Sequence, residues 1–541
     1  MRIPFSLWAG IGTLAFWLAT LGCTQYAIAS PRPPPRKALE AETVKPPSPV
    51  LAKISNAPAP VPALPERAPE PVFAEWLKER LPPGGRITVD DAGSPTVVHT
   101  TEPGDSLIKV ALAYLDLADV YLVYDFAEAI AKANPRSRYH LRPGTDLIIP
   151  HLITQPYRTG DRERLGWPED KVLRGVYVRG DTAGGPYYTS ILDHLAEHGM
   201  NAIVLDTKDT DGWVTYPSKV PLAVETKATS HAAIRDLARA IRFAHARGIR
   251  VVMRISCFHD EWIQPRKTAL SVRGKWGGPY PIGWLDPSSE GAHEYIIALA
   301  DEAMDAGADE IQLDYVRYPV IGTKNADFHL KERSLTRTGV IRDFVREVHT
   351  VTQKRGVPLS LDVFGVVALG KRIDIDALGQ DLLLLAPECE VLSPMVYPSH
   401  YAKGFYGFDE PGAHPELIGV GTKGTLDQIA NTPGAAIVRP WLQAMNYESP
   451  GYGPEYLKTE TRNAEAAGST GWLMWNPGQD YSYAWQIMPK GPAPTHGTRV
   501  DHSRAIVPSS IDGRLAIGSG YGKDRGSHHR TASAQQRKPV E

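Results

Sequence analysis

From about residue 168 to 490 the sequence alternates short apolar runs with amphipathic stretches, and this alternation constrains the fold most. The runs are Leu173–Val178, Ala202–Asp206, Ile249–Ser256, Glu310–Asp314, Leu359–Val363, Val391–Tyr397, Ala436–Gln443 and Gly471–Trp475. Short, almost continuously apolar strands suit a parallel sheet covered on both faces. Between them, apolar residues recur at helical spacing: Tyr188, Ile191, Leu192 and Leu195; Ile234, Leu237, Ala238 and Ile241; Val340, Ile341, Phe344, Val345 and Val348. Gly199, Gly248 and Gly307 follow such stretches, as helix stops do. Eight repeats predict an α/β fold, a closed (β/α)8 TIM barrel. A doubly wound open sheet is the rival. The barrel is preferred because polar residues close nearly every strand. The helical pattern is poorer between strands five and eight, which predicts insertions there.

The flanks are of a different kind. Arg2, an apolar run around Leu7–Leu21 and small residues at Ala27–Ala29 predict a secretory signal peptide over 1–29, hence an exported chain. The destination expected is the periplasm, the cell envelope or the medium. Cys23 after "TLG" offers an imperfect site for lipoprotein anchoring. Residues 30–72 are rich in proline and alanine and predict an extended linker. Residues 491–541 lack a long apolar period and predict a disordered polar tail. The formal net charge of −2 gives no electrostatic case for nucleic acid. Cys257 and Cys389 are too few for a disulfide scaffold or a thiolate metal site, and no metal or other cofactor is expected.

A smaller α+β module is expected at 97–151, with the spacing strand, helix, helix, strand. Asp105 or Ser106 caps its first helix, and Pro143-Gly144 turns into the last strand. Gly104, Asp105, Ser106, Leu107, Asn134, Leu141, Gly144, Leu147, Ile149 and Pro150 make this segment resemble the LysM family. The resemblance implies binding to peptidoglycan or another N-acetylglucosamine-containing glycan. The stretch between the helices, "YLDLADVYLVYD", is longer than in typical members.

In a barrel of this kind, chemistry belongs at the C-terminal ends of the strands. In "DEIQLDYVRYP", Asp314 ends the apolar register where the strand emerges; in "LSLDVFG", Asp362 does the same one strand later. Neighbouring strands lie about 5 Å apart. Two such carboxylates can reach the roughly 5–5.5 Å separation of retaining glycosidases. Asp314, kept ionised by Arg254 or Arg317, is the expected nucleophile, and Asp362 the acid/base, although the roles could be reversed. Asp206 and Glu261 are rival acids. Arg179, Lys208, Trp213, Arg254, His259, Trp262, Tyr315, Arg317, Tyr397, His400, Trp441 and Trp475 are the candidate substrate-binding groups. Sugar rings present apolar C–H faces to aromatic planes and hydroxyls to polar side chains, so this set predicts a carbohydrate groove.

Several long stretches also carry a resemblance: "RGVYVRG" at Arg174–Gly180, "NAIVLDTKDTDG" at Asn201–Gly212, "GIRVVMRIS" at Gly248–Ser256, "DEIQLDYVRYP", "LSLDVFG" and "LSPMVYPSHY" at Leu392–Tyr401. Residues 170–490 resemble a glycoside hydrolase family of exported bacterial proteins, distantly alpha-amylase-like. The resemblance implies a TIM barrel and glycan hydrolysis. It places the nucleophile, an aspartate after strand four, on Asp314. The acid, normally a glutamate after strand five, falls where this chain has Asp362. The expectation is an exported hydrolase of a cell-envelope or extracellular polysaccharide. The alternative is a non-catalytic glycan-binding protein of the envelope; a metal-dependent hydrolase would have to draw on His259 and Asp260.

Overall fold

The computed structural model describes residues 75–89, 95–137, 141–153, 164–328, 330 and 333–491. The signal peptide, Cys23, the proline-rich segment to residue 72 and the tail after residue 491 lie outside the described residues. The barrel sheet is built of eight strands among the described residues: β1 (Leu173–Val178), β2 (Ala202–Lys208), β3 (Arg250–Ser256), β4 (Glu310–Asp314), β5 (Leu359–Phe364), β6 (Val391–Met395), β7 (Ile437–Val438 and Trp441–Gln443) and β8 (Gly471–Trp475). All pair in parallel and in chain order. The sheet closes where β8 runs beside β1, Gly471 opposite Leu173 and Met474 opposite Val176. Gly471 makes that closure possible: its φ is +79°, and a Cβ there would lie 1.9 Å from the Leu173 carbonyl oxygen.

Helices α1 (Tyr187–Glu197), α2 (Leu237–His245), α3 (Glu290–Asp305), α4 (Arg337–Lys354), α5 (Arg372–Leu378), α6 (Leu417–Ile429), α7 (Pro454–Ala466) and α8 (Ser482–Ile487) surround the strands. Strand alternation divides the apolar residues into two layers. Ile203, Leu205, Val251 and Met253 join the helix layer with Leu192, Ile241 and Phe344. Leu173, Tyr177, Val204, Val252, Trp441 and Leu473 fill the barrel interior.

Two local differences from expectation have physical causes. Helix α2 starts at Leu237 because Asp236 caps it, accepting from the Arg239 N–H at 3.0 Å. Strand β7 is interrupted at Arg439-Pro440, since proline lacks the N–H a ladder needs. Arg439, at this break, points away from the C-terminal mouth. It pairs there with Glu310 at 2.9 Å, both side chains fully buried, while the Trp167 indole donates to Glu310 at 2.8 Å. Between β6 and α6 the chain is long and made of short turns at Pro398–His400, Phe405–Gly407 and Pro411–Ala413. Cys257 and Cys389 are both buried free thiols.

Ahead of the barrel, Gly85–Val89, Pro95–Thr100 and Asp146–Ile148 form an antiparallel sheet, with helices Leu107–Tyr114 and Val123–Ala133 between its last two strands. Ser106 caps the first helix, accepting from the Lys109 N–H at 3.2 Å. Tyr114, Phe126, Ile130 and Leu147 form a core separate from that of the barrel. The long stretch between the two helices has a clear task. Tyr121 packs its ring 5.2 Å from Tyr188 and 5.0 Å from Phe243, and its hydroxyl donates to the Ala183 carbonyl at 2.5 Å. Arg239 of α2 donates to the Val120 carbonyl. The extra residues therefore fasten the small unit to the flank of the barrel. Tyr121→Ala should lower the stability of this joint by about 2–4 kcal/mol. Calorimetry should then resolve two unfolding transitions where the parent shows stronger coupling; an unchanged thermogram would remove this role from Tyr121.

Candidate active site

The C-terminal mouth of the barrel is organised around one arginine. Arg254, second-last residue but one of β3, points inward and is 2% exposed. Its Nε and one terminal nitrogen donate to Asp314 Oδ2 at 3.0 and 2.6 Å. Its other terminal nitrogen donates to Asp206 Oδ1 at 2.5 Å. Asp362 Oδ2 lies 3.9 Å from Arg254 Nε. Period-two alternation aims the side chains of Asp206, Arg254, Asp314 and Asp362 into one space. Burial works against charge on Arg254, but Asp314 and then Asp206 outweigh it and raise its pKa well above the ordinary arginine value.

The carboxyl groups are held differently. Asp314 Oδ1 accepts the N–H of Tyr315 at 2.6 Å, and Tyr315 adopts φ +49°. Such a left-handed tyrosine is uncommon, and its backbone strain sits next to the candidate nucleophile. Asp206 Oδ2 accepts from the Tyr177 hydroxyl at 2.5 Å. Burial raises the Asp206 pKa, opposed by Arg254 and Tyr177. Asp362 Oδ1 accepts from the Trp441 indole at 2.6 Å, while Oδ2 is buried and has no hydrogen-bond partner. Burial, then the charge of Asp314, pushes the Asp362 pKa well above the usual carboxylate range. An acid next to an ion-paired carboxylate is the division that general acid catalysis needs.

Aromatic rings line the same space. Trp475 stacks on Tyr177 at 4.2 Å and meets Trp441 edge-on at 5.7 Å. The Arg254 guanidinium lies 5.3 Å from the centre of the Trp475 ring. Tyr397 is buried, and its hydroxyl is pushed up by burial and then by Asp362 and Asp314. Tyr177 is the member of this group absent from the sequence candidates. It occupies an inward position of β1 with Leu173 and Gly175, so the two-residue period carried the signal.

Other candidates fall elsewhere. Lys208 is not a cleft residue: its side chain is fully buried, pairs with Asp260 at 3.0 Å and donates to the Ser256 carbonyl at 2.6 Å. A register shift in β2 between Asp206 and Lys208 accompanies this placement. Glu261 is exposed and packs over Gly283, outside the Arg254 group. His259 Nδ1 is 2.7 Å from the Thr210 carbonyl, and burial lowers its pKa to about 4. His259 and Asp260 therefore have separate partners, and among the described residues no three His, Cys, Asp or Glu side chains are placed to hold a metal ion. Trp213 and Trp262 pack on each other at 3.9 Å. Arg317 lies against Trp284, Tyr315 and Phe364, at 5.0, 5.2 and 4.8 Å from their centres. Arg179 is exposed at the rim and paired with Asp181. His400 Nδ1 is 3.1 Å from Ser399 Oγ, and burial lowers its pKa to about 4.

Arg254 is the cation common to Asp206 and Asp314, so its loss should be felt throughout the mouth. Arg254→Met leaves two buried carboxylates without their cation and should lower unfolding free energy by about 3–5 kcal/mol in a urea titration. A change below about 1 kcal/mol would mean that the pairing is energetically minor.

A closed parallel barrel with acids, an arginine and aromatic rings at its C-terminal mouth belongs to the (β/α)8 class in which many glycan-cleaving enzymes are built. The family model described as "Putative glycosyl hydrolase domain" matches residues 175–481. The chain belongs to that family. Comparison with curated proteins gives no match. Among solved structures, a hypothetical protein from Ruminiclostridium thermocellum ATCC 27405 is 31% identical, with 35% of this chain and 97% of that chain covered, at a TM-score of 0.32. The spore cortex-lytic enzyme SleL of Bacillus megaterium QM B1551 is 10% identical, with 73% and 88% covered, at 0.37. The pneumococcal exo-beta-D-N-acetylglucosaminidase StrH, in its GH20 modules, is 12% identical, with 59% and 82% covered, at 0.38.

Proposed function

We propose that the chain is an exported glycoside hydrolase that cleaves a cell-envelope or extracellular polysaccharide by a retaining mechanism. The observation that carries this reading is the placement of Asp314 and Asp362 on one guanidinium nitrogen, at 3.0 and 3.9 Å, with the proton affinity of Asp362 raised. A shared neighbour favours the closer of the two carboxylate spacings used by glycosidases, roughly 5–5.5 Å. Asp314 attacks the anomeric carbon. Asp362 protonates the leaving oxygen, then takes the proton from the water that releases the sugar. Arg254 positions Asp314, and Tyr177 holds Asp206 behind Arg254. Tyr397, Trp441 and Trp475 bound the space for the reacting ring.

The small unit is read as a LysM-like module. Its strand–helix–helix–strand order and Ser106 cap support this. In this role it would hold peptidoglycan or another N-acetylglucosamine-containing glycan near the barrel. Export, and a periplasmic, envelope-bound or secreted location, rest on the N-terminal sequence.

One observation favours the alternative of a glycan-binding protein without hydrolysis: the side chain of Asp362 is only 1% exposed. Reducing-end release separates the two. Purified wild type and Asp314→Asn are incubated with peptidoglycan, chitin oligomers, alpha-glucans and a galactosamine-containing exopolysaccharide. Release by wild type and its loss in the variant, with binding retained, is expected. Binding without release by either protein would reject the hydrolase.

A further inference from the structure

We propose that Trp276 and Tyr406 are sugar-stacking platforms on the two sides of the Asp314–Asp362 pair, so that the mouth grips a glycan chain along its interior rather than at one end. This deepens, and rests on, the hydrolase reading above. Both rings are exposed, 64% for Trp276 and 59% for Tyr406. A single exposed aromatic residue is ordinary. These two are distinguished by how they are held and by what lies between them.

Trp276 sits at the tip of a tight turn in the loop after β3. Gly274 donates to the Gly278 carbonyl at 2.8 Å, and Lys275 donates to the Asn325 carbonyl in the loop after β4 at 2.9 Å. The indole lies flat over Gly274: a Cβ there would come within 2.6 Å of the ring. Tyr280 meets it edge-on at 5.6 Å. The indole is thus braced from one side, with most of its surface open. Tyr406 sits in the loop after β6 at φ +52°, between Gly404 and Gly407, which also have positive φ. Its ring is 5.1 Å from Phe405, which stacks on Tyr401 at 3.8 Å. The Tyr401 hydroxyl in turn lies against Gly365, where a Cβ would come within 2.4 Å.

Topology supplies the rest. Strands β4 and β5, which carry Asp314 and Asp362, lie between β3 and β6 in the barrel. All loops that follow strands share the C-terminal face. The loop bearing Trp276 also carries Trp284, whose ring is 6.0 Å from that of Tyr315, next to Asp314. On the other side, Tyr401 reaches Gly365, three residues beyond Asp362. The loops on either side of the two acid-bearing strands thus each carry a braced, exposed aromatic ring. The ligand class is a polymer of pyranose sugars, neutral or amino-substituted, whose C–H faces stack on the two rings while cleavage falls between them. The action implied is endo.

The test uses the full chain carrying Asp314→Asn, so that binding is read without turnover. Migration is followed in native gels containing glycol chitin, soluble alpha-glucan or the galactosamine-containing exopolysaccharide. Binding of a trisaccharide from the retaining polymer is measured in parallel. Trp276→Ala and Tyr406→Ala should each weaken polymer retention by about 3- to 10-fold. Trisaccharide affinity should stay constant. Equal migration of parent and double variant in every gel would overturn the proposal, and so would an equal loss for polymer and trisaccharide. Failure of the hydrolase reading is separately visible: wild type would release no reducing ends, yet the two substitutions would still weaken retention.

Discussion

Asp314→Asn is expected to reduce reducing-end release by about ten-thousandfold while the protein stays folded. Asparagine keeps the shape and an oxygen for Arg254, but removes the charge proposed to attack the anomeric carbon. Arg254 retains Asp206 as an ionic partner at 2.5 Å, so the buried guanidinium is not left alone. The stability cost should therefore stay near that of one charged hydrogen bond, about 1.5–3 kcal/mol. Circular dichroism would report the fold, and end-labelling with a reducing-sugar reagent would report turnover. Near-normal release would remove Asp314 from the chemistry and shift attention to Asp206. Complete unfolding would instead identify Asp314 as a structural partner of Arg254.

Asp362→Asn should act on rate and on stability in opposite senses. Loss of the proton donor should lower release from an unactivated glycan by about 10²–10⁴-fold. A substrate whose leaving group needs no protonation should lose much less. In wild type, kcat/KM should fall as pH rises through the raised pKa of Asp362, and that limb should vanish in the variant. The stability argument follows from proton linkage. Folding raises the Asp362 pKa from its ordinary value of 3.8, chiefly through burial. Below that value both states are protonated and the group contributes its full share. As pH rises through the folded pKa, the unfolded state holds fewer protons than the folded one, and stability declines. Asparagine has no proton to lose. The melting temperature of the variant relative to wild type should therefore rise as pH is raised above the ordinary carboxylate value of 3.8. Parallel curves would refute the raised pKa.

Much of this architecture was legible in the sequence because strand alternation and strand ends are local signals. Ile311 and Leu313 alternate with Gln312 and Asp314, and Leu359 and Leu361 with Ser360 and Asp362, so both acids could be aimed inward before any coordinates. Contacts between distant strands were harder to read. Arg254 and Arg317 were equal candidates for Asp314, and only the register of β3 beside β4, Ser256 opposite Asp314, distinguishes their places. Lys208 had the right position after an apolar run and the wrong surroundings, since a register shift cannot be seen in residue types. Trp441 stood in the sequence as an aromatic ring for sugar; its donation to Asp362, from an indole that is 1% exposed, is a contact between distant strands that residue types do not reveal. The long stretch after Tyr114 looked like a departure from a known module. Its reason, a dock for Tyr121 on α1 and α2, lies more than sixty residues away along the chain.

The Arg254 group gathers three carboxyl groups around one guanidinium. Three acidic side chains thus share one buried cation in a region almost closed to water. Such a cage selects by the sign of charge. In the proposed reaction it would attract the positive charge that builds on the sugar ring as the glycosidic bond breaks. It repels a uronate placed at the same point and welcomes a ring whose amine is protonated. On the proposed hydrolase reading, polymers of neutral or basic sugars are the expected partners of this mouth, and ring analogues bearing a cationic nitrogen its expected inhibitors.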